Sequence, residues 1–290
     1  NPITEGCIWK GMLLFALPIM LGSLLQQLYN TADAVIVGRA LGKAALASVG
    51  GSSGRITNLL VNAFVALSSG ASVIVAQHFG ARDTQRVRRS ICTAMLLSVV
   101  CGILLTVLGI TSARQLLVWM QTTPETLDAS ASYLRIFFLG MVPTMLYNMG
   151  SGILRAMGDS VTPLVFLLFS TILNVGLDLL FILSFHWGVA GAAIATVLAQ
   201  LISTVGCFLY AFSKYPELRL HRPDFAITKN DVTQHIVQGV PLGLQFSVLS
   251  IGIITMQSVI VQFDMEAGRI VSSAAQTGFG AANRLHMLTM

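Results

Sequence analysis

The chain has 290 residues, of which 10 % are charged and 54 % hydrophobic, and its net charge is +5; mean hydropathy is +0.77. Soluble domains carry about 25 % charged residues, so a water-soluble globule is excluded. A nucleic-acid-binding surface is excluded too, because the Lys and Arg residues sit in short breaks between apolar runs rather than on one face. Cys7, Cys92, Cys101 and Cys207 share no metal-ligand spacing, which argues against a zinc site or a disulfide framework.

The apolar runs reach or exceed the roughly 20 residues a spanning helix needs, and residues 91–110 contain no charged side chain. Barrel strands would alternate apolar and polar residues in segments of about 10, and these runs do not alternate. The sequence therefore predicts an all-α integral membrane protein. In chain order its helices fall at 11–38, 56–79, 90–112, 133–155, 161–185, 188–213, 236–263 and about 270–290. The opening NPITEG lacks the basic start and small-residue cleavage site of a signal peptide, so the first run is expected to be a retained span. The last run is cut at Met290, which makes the chain read as the N-terminal part of a longer parent.

Loop charge predicts the orientation. Lys10, Arg82, Arg86, Arg88, Arg89, Arg155, Lys214, Arg219, Arg222 and Lys229 fall on one side, and Arg39, Lys43, Arg55, Arg114, Arg135 and Arg269 on the other. The denser side marks the cytoplasm, which predicts a multi-pass plasma-membrane protein with its N-terminus inside. The polar break 214–235, with Pro216 and Pro223, predicts a cytoplasmic linker between a six-helix lobe, 1–213, and the start of a second lobe, 236–290. T-A-D-A-V-I-V-G from Thr31 resembles T-M-Q-S-V-I-V-Q from Thr255, and each follows a proline, Pro18 or Pro241. Duplicated halves would produce this match, and so would chance likeness between apolar helices.

An acid at the centre of a span costs about 2.5–3.5 kcal/mol on the insertion scale. Two acids fall inside predicted spans, Asp33 and Asp178. Asn174 precedes Asp178 by one turn and shares its face, while Gln26, Asn30 and Asp33 form a polar stripe with Tyr29 one turn before the acid. Such groups serve either as interhelical hydrogen bonding among neutral side chains or as an ion or proton pathway. Carboxylate, amide and hydroxyl oxygens suit a hard cation such as Na⁺, and the same carboxylates can carry H⁺. Tyr147, Phe137 and Phe138 either line a pocket for flat organic cations or pack in the bundle, with Asn148 as a neighbouring polar candidate. His186 and His221 fall in predicted loops and read as solvated. The twelve Met residues are adaptable fillers that mark no site.

Four motifs together resemble the multidrug and toxic compound extrusion family, in its bacterial DNA-damage-inducible-like branch. They are Q-Q-L-Y-N-T-A-D-A-V-I-V-G-R-A-L-G from Gln26, Q-H-F-G-A-R-D from Gln77, G-I-L-R-A-M-G-D-S-V-T-P from Gly152 and G-V-A-G-A-A-I-A-T from Gly188. The resemblance lies in their order and spacing. It implies a parent of twelve helices in two pseudo-symmetric lobes, a secondary active antiporter that exports cationic or amphipathic drugs in exchange for Na⁺ or H⁺ by alternating access, with no catalytic residue and no cofactor beyond that coupling ion. Its implied partners are small organic cations and the lipid bilayer, and its implied state is a monomer. The family's cation site falls on Asp33, Asn174, Asp178 and Thr196, and the tyrosine one turn before the first acid on Tyr29. The chain departs from the family in lacking the last four helices.

Three other readings compete. A lipid-linked oligosaccharide flippase of the related superfamily would need basic residues lining its cavity for anionic headgroups, whereas Arg here lies near span ends. An intramembrane aspartyl protease would carry its second acid in G-x-G-D, whereas Val-Gly-Leu precedes Asp178 and Thr-Ala precedes Asp33. The third is a structural fragment without activity.

Overall fold

A computed structural model describes residues 8–120, 122, 124–215, 218, 227–263, 265–266 and 269–270. Its helices are α1 (Ile8–Gly50), α2 (Ser52–Gly80), α3 (Thr84–Trp119), α4 (Pro124–Leu139), α5 (Met141–Ala156), α6 (Val161–Asp178), α7 (Gly188–Lys214) and α8 (Lys229–Phe263). A π-helical turn, Leu179–Ser184, continues α6. Met265–Glu266 and Arg269–Ile270 pair as a minimal antiparallel ladder. Among the described residues, five helical segments are long and apolar enough to cross a membrane, and six if α4 and α5 form one broken span. The fold is the all-α membrane bundle that the composition predicts.

The predicted fourth span, 133–155, is corrected in two ways. It begins earlier, at Pro124, because a turn carrying Glu125 and Asp128 hides its helical start from a reading based on apolar runs. It also breaks at Gly140, where α4 and α5 meet at 51°. Pro143 supplies no N–H to the first turn of α5, which favours a restart there over continuity. Hydroxyls of neighbouring helices reach the backbone on both sides of the break, including the Phe138 carbonyl freed at the end of α4. Thr106 Oγ1 donates to the Phe138 carbonyl at 2.8 Å, and Thr204 Oγ1 donates to the Pro143 carbonyl at 3.2 Å.

The first helix is longer than predicted and turns at Gly42, whose φ of 87° is open to glycine. α8 starts at Lys229, within the stretch read as linker, and Leu218 of that stretch is buried against α3 and α5 residues. Of the predicted eighth span, 271–290 lies outside the described residues.

The bundle is apolar outside as well as inside. Leu13, Leu104, Val107, Leu108 and Ile172 are all exposed, as lipid-facing side chains must be. With hydrocarbon outside, helices associate through close packing and hydroxyl bonds. Ser68 Oγ donates to the Asn148 carbonyl at 2.9 Å, and Ser203 Oγ to the Phe166 carbonyl at 2.8 Å. A Cβ at Gly109 would enter the Phe138 ring, so α3 and α4 approach through a missing side chain.

One loop is tied down strongly. After α5, Gly158 takes φ 92°, and Asp159 then caps α6 by accepting from the Thr162 N–H at 2.9 Å and the Thr162 hydroxyl at 2.6 Å. Lys214 Nζ at 3.0 Å and the Tyr215 hydroxyl at 2.5 Å bind the same carboxylate from the end of α7. Burial works to raise the Asp159 pKa, but the hydrogen bonds from Thr162, Tyr215 and Lys214 outweigh it and hold it at about 2.

Candidate cation site between α1, α6 and α7

Asn174 and Asp178 stand one turn apart on α6 and are both 0 % exposed. That face turns inward because the rest of α6, with Leu167, Leu168 and Ile172, is apolar and meets lipid or neighbouring helices. Thr196 of α7 lies against it. With the Asn174 amide oriented to satisfy both of its atoms, Nδ2 donates to Asp178 Oδ2 at 3.1 Å and Oδ1 accepts from the Thr196 backbone N–H at 3.3 Å. Thr196 Oγ1 donates to the Ala192 carbonyl at 3.0 Å.

α1 completes the group. The half-buried Asp33 carboxyl lies close to that of Asp178, and Tyr29 lies close to Thr196. The structure thus brings Asp33, Asn174, Asp178, Thr196 and Tyr29 into one cluster from three helices. Asp33 Oδ1 and Asp178 Oδ1 are buried without a hydrogen-bond partner. Two facing carboxylates repel unless a positive charge or a proton stands between them. The donor set, two carboxylates with an amide and hydroxyls, has the hard-oxygen chemistry a sodium ion takes, and the orphaned oxygens fit it. Among the described residues no three His, Cys, Asp or Glu side chains gather as a transition-metal site.

Other candidates stand elsewhere. Gln26 and Asn30, on the same helix as Asp33, are exposed. Asn148 donates to the Thr144 carbonyl at 2.9 Å within α5. Of the two readings of the aromatics the structure shows packing: Phe137 and Phe138 are in the core with Leu134 and Met141, and the buried Tyr147 donates to the Pro163 carbonyl at 3.1 Å. Rings enclosed on all sides by core side chains present no open face to a ligand. The exposed His186, in the turn before α7, takes φ 55°, and His221 lies outside the described residues.

Sequence reading missed Tyr133. This α4 residue is buried with Val37, Ile182 and Ala192, close to Asp33, Tyr29 and Asp178. The available signal was a tyrosine at the start of a predicted span, and the broken helix that aims it was not legible. The π-helical turn right after Asp178 was missed as well; such turns recur at functional sites.

The MatE family model matches residues 18–180, a stretch that holds both acids and Asn174. The chain belongs to this family, the multidrug and toxic compound extrusion transporters. It is 32 % identical over 284 residues, 97 % of its length, to YpnP, a probable multidrug resistance protein of Bacillus subtilis (strain 168), and covers 61 % of that protein. Among solved structures it is similar to a MOP superfamily transporter from Pyrococcus furiosus, with TM-score 0.86 and 26 % identity over 96 % of this chain and 60 % of that one. It is also similar to a multidrug resistance MATE family transporter in an outward-facing conformation, with TM-score 0.84 and 27 % identity over 96 % of this chain and 60 % of that one. The chain thus spans about three fifths of these relatives.

Proposed function

We propose that this chain forms the N-terminal lobe and the start of the second lobe of an antiporter that exports cationic or amphipathic drugs in exchange for Na⁺ or H⁺. The observation that carries the reading is the facing pair of Asp33 and Asp178, with Asn174 and Thr196 beside them, in a bundle otherwise built of apolar side chains. In this reading the transporter is a monomer in the plasma membrane with its N-terminus in the cytoplasm. An entering Na⁺ or H⁺ stands between the two carboxylates, cancels one of their charges and relieves their repulsion, which draws α1 toward α6 and α7. Tyr29 and Tyr133 follow, the lobes rearrange, and the affinity for a drug cation falls as the cavity opens outward. An ion that binds one arrangement better than the other supplies the free-energy difference such a shift requires.

The test is Asp178→Asn in the full-length protein, reconstituted in vesicles with a fluorescent organic cation. Efflux is measured with the sodium gradient and the pH gradient collapsed separately. Ion-driven efflux disappears in the variant if the reading holds; unchanged efflux would falsify it, and the gradient whose collapse stops the unmodified protein names the ion.

A further inference from the structure

We propose that the Arg89–Asp231 ion pair is a latch that holds α8 against the six-helix lobe on the cytoplasmic side and opens each time the lobes rock. The inference rests on the alternating-access reading above.

α8 meets the lobe through α2 and the start of α3. Its contact with α2 is a backbone crossing: a Cβ placed on Gly70 would lie 2.5 Å from Gly239 Cα and 2.7 Å from Gly239 N. At ~1.5 Å per residue, about 15 Å of helix separates Gly70 from the end of α2 at Gly80, and the same length separates Gly239 from the start of α8 at Lys229. The crossing therefore lies well inside the membrane. From there the helices part around a cleft of about 320 Å³ with mixed walls, Ile74, Gln77 and His78 of α2 facing Thr233, Gln234, Val237 and Gln238 of α8. The open space between these side chains limits direct packing of the two helix ends.

The ends are instead held by charge. Arg89 Nε on α3 stands 3.7 Å from Asp231 Oδ2 on α8, with the two side chains 36 % and 21 % exposed. The Asp231 carboxylate is aimed beforehand, since the Thr228 N–H at 2.9 Å and the Thr228 hydroxyl at 2.7 Å both donate to Oδ2. One turn on, the buried His235 hydrogen-bonds through Nδ1 with the Asp231 carbonyl at 2.8 Å within α8. A half-exposed ion pair is a weak bond. Weakness suits a contact that must part and re-form in every cycle, whereas a dry, deeply buried pair would resist opening.

The experiment uses the full-length protein with Gln234→Cys as a reporter in the cleft. A membrane-impermeant maleimide is applied from the cytoplasmic face, and drug efflux is followed in the same vesicles. Arg89→Gln and Asp231→Asn should each raise the labelling rate about two- to fivefold, the range a weak pair allows. The exchanged pair, Arg89→Asp with Asp231→Arg, should bring the rate back toward that of the parent, a recovery that general misfolding does not produce. Labelling that is unchanged in both single variants, or an exchanged pair as reactive as the singles, overturns the latch. If the latch is overturned while efflux persists, the transport reading stands; absence of ion-driven efflux from the unmodified protein removes that reading by itself.

Discussion

Two aspartates on either side of α6 have opposite surroundings. Asp159, at the start of the helix, is met by a lysine, a tyrosine, a threonine hydroxyl and backbone N–H groups. Asp178, at its end, is more deeply buried yet meets an amide and another acid. A carboxylate given a full set of donors is a fastener, and its ligation ties α5, α6 and α7 together. A carboxylate buried opposite its own kind contributes nothing to stability by that arrangement, and its neighbours make sense only if a mobile positive charge visits. Location alone does not separate the two roles, whereas the identity of the neighbours does.

The sharpest way to break the comparison is to exchange the consequences of the two acids. Asp178→Asn is expected to abolish ion-driven efflux, with the melting temperature of the purified full-length protein unchanged or raised, since one of two repelling carboxylates has gone. Asp159→Ala should do the reverse. Loss of its hydrogen bonds leaves the Lys214 and Tyr215 ends unpaired and costs about 1–3 kcal/mol, read as a lower melting temperature, while ion coupling per folded molecule is retained. Equal damage to coupling from both substitutions would erase the distinction.

The pH dependence sharpens it further. The folded Asp159 carboxyl, at about 2, lies below the ordinary unfolded value near 3.9. Its stabilisation is therefore present above about pH 4 and is lost as pH falls toward 2. Melting temperatures of the parent protein should drop over that window by more than those of Asp159→Asn. The smallest expected effect is that of Tyr29→Phe, which removes one hydroxyl from the neighbourhood of Thr196 and Asp33. A two- to tenfold loss of efflux, corresponding to about 0.5–1.5 kcal/mol, would show in initial rates with stability held.

Much of this comparison was legible in the chain itself. Hydrophobic runs read for length locate most spans, since hydrocarbon demands unbroken apolar sequence, and they place Asp33 and Asp178 within them. The i, i+4 spacing puts Asn174 on the Asp178 face. That α1 and α7 present Asp33 and Thr196 to that face came from family resemblance; no local pattern encodes which helices are neighbours. The Gly140 break, the π-helical turn and the inward aim of Tyr133 escaped because they depend on packing between helices. The aromatic triplet was ambiguous for the opposite reason: Phe137, Phe138 and Tyr147 are apolar enough for a pocket wall or a core, and only enclosure distinguishes these.

The bent span also constrains how the chain is assembled. The Phe138 carbonyl at the end of α4 is served by Thr106 of α3, which has already been synthesised when the joint emerges. Backbone polar groups left bare in hydrocarbon are costly, so the joint can form in the membrane as soon as it is made, provided α3 is beside it. The order of synthesis thus makes α3 the piece that must be in place before the span can bend.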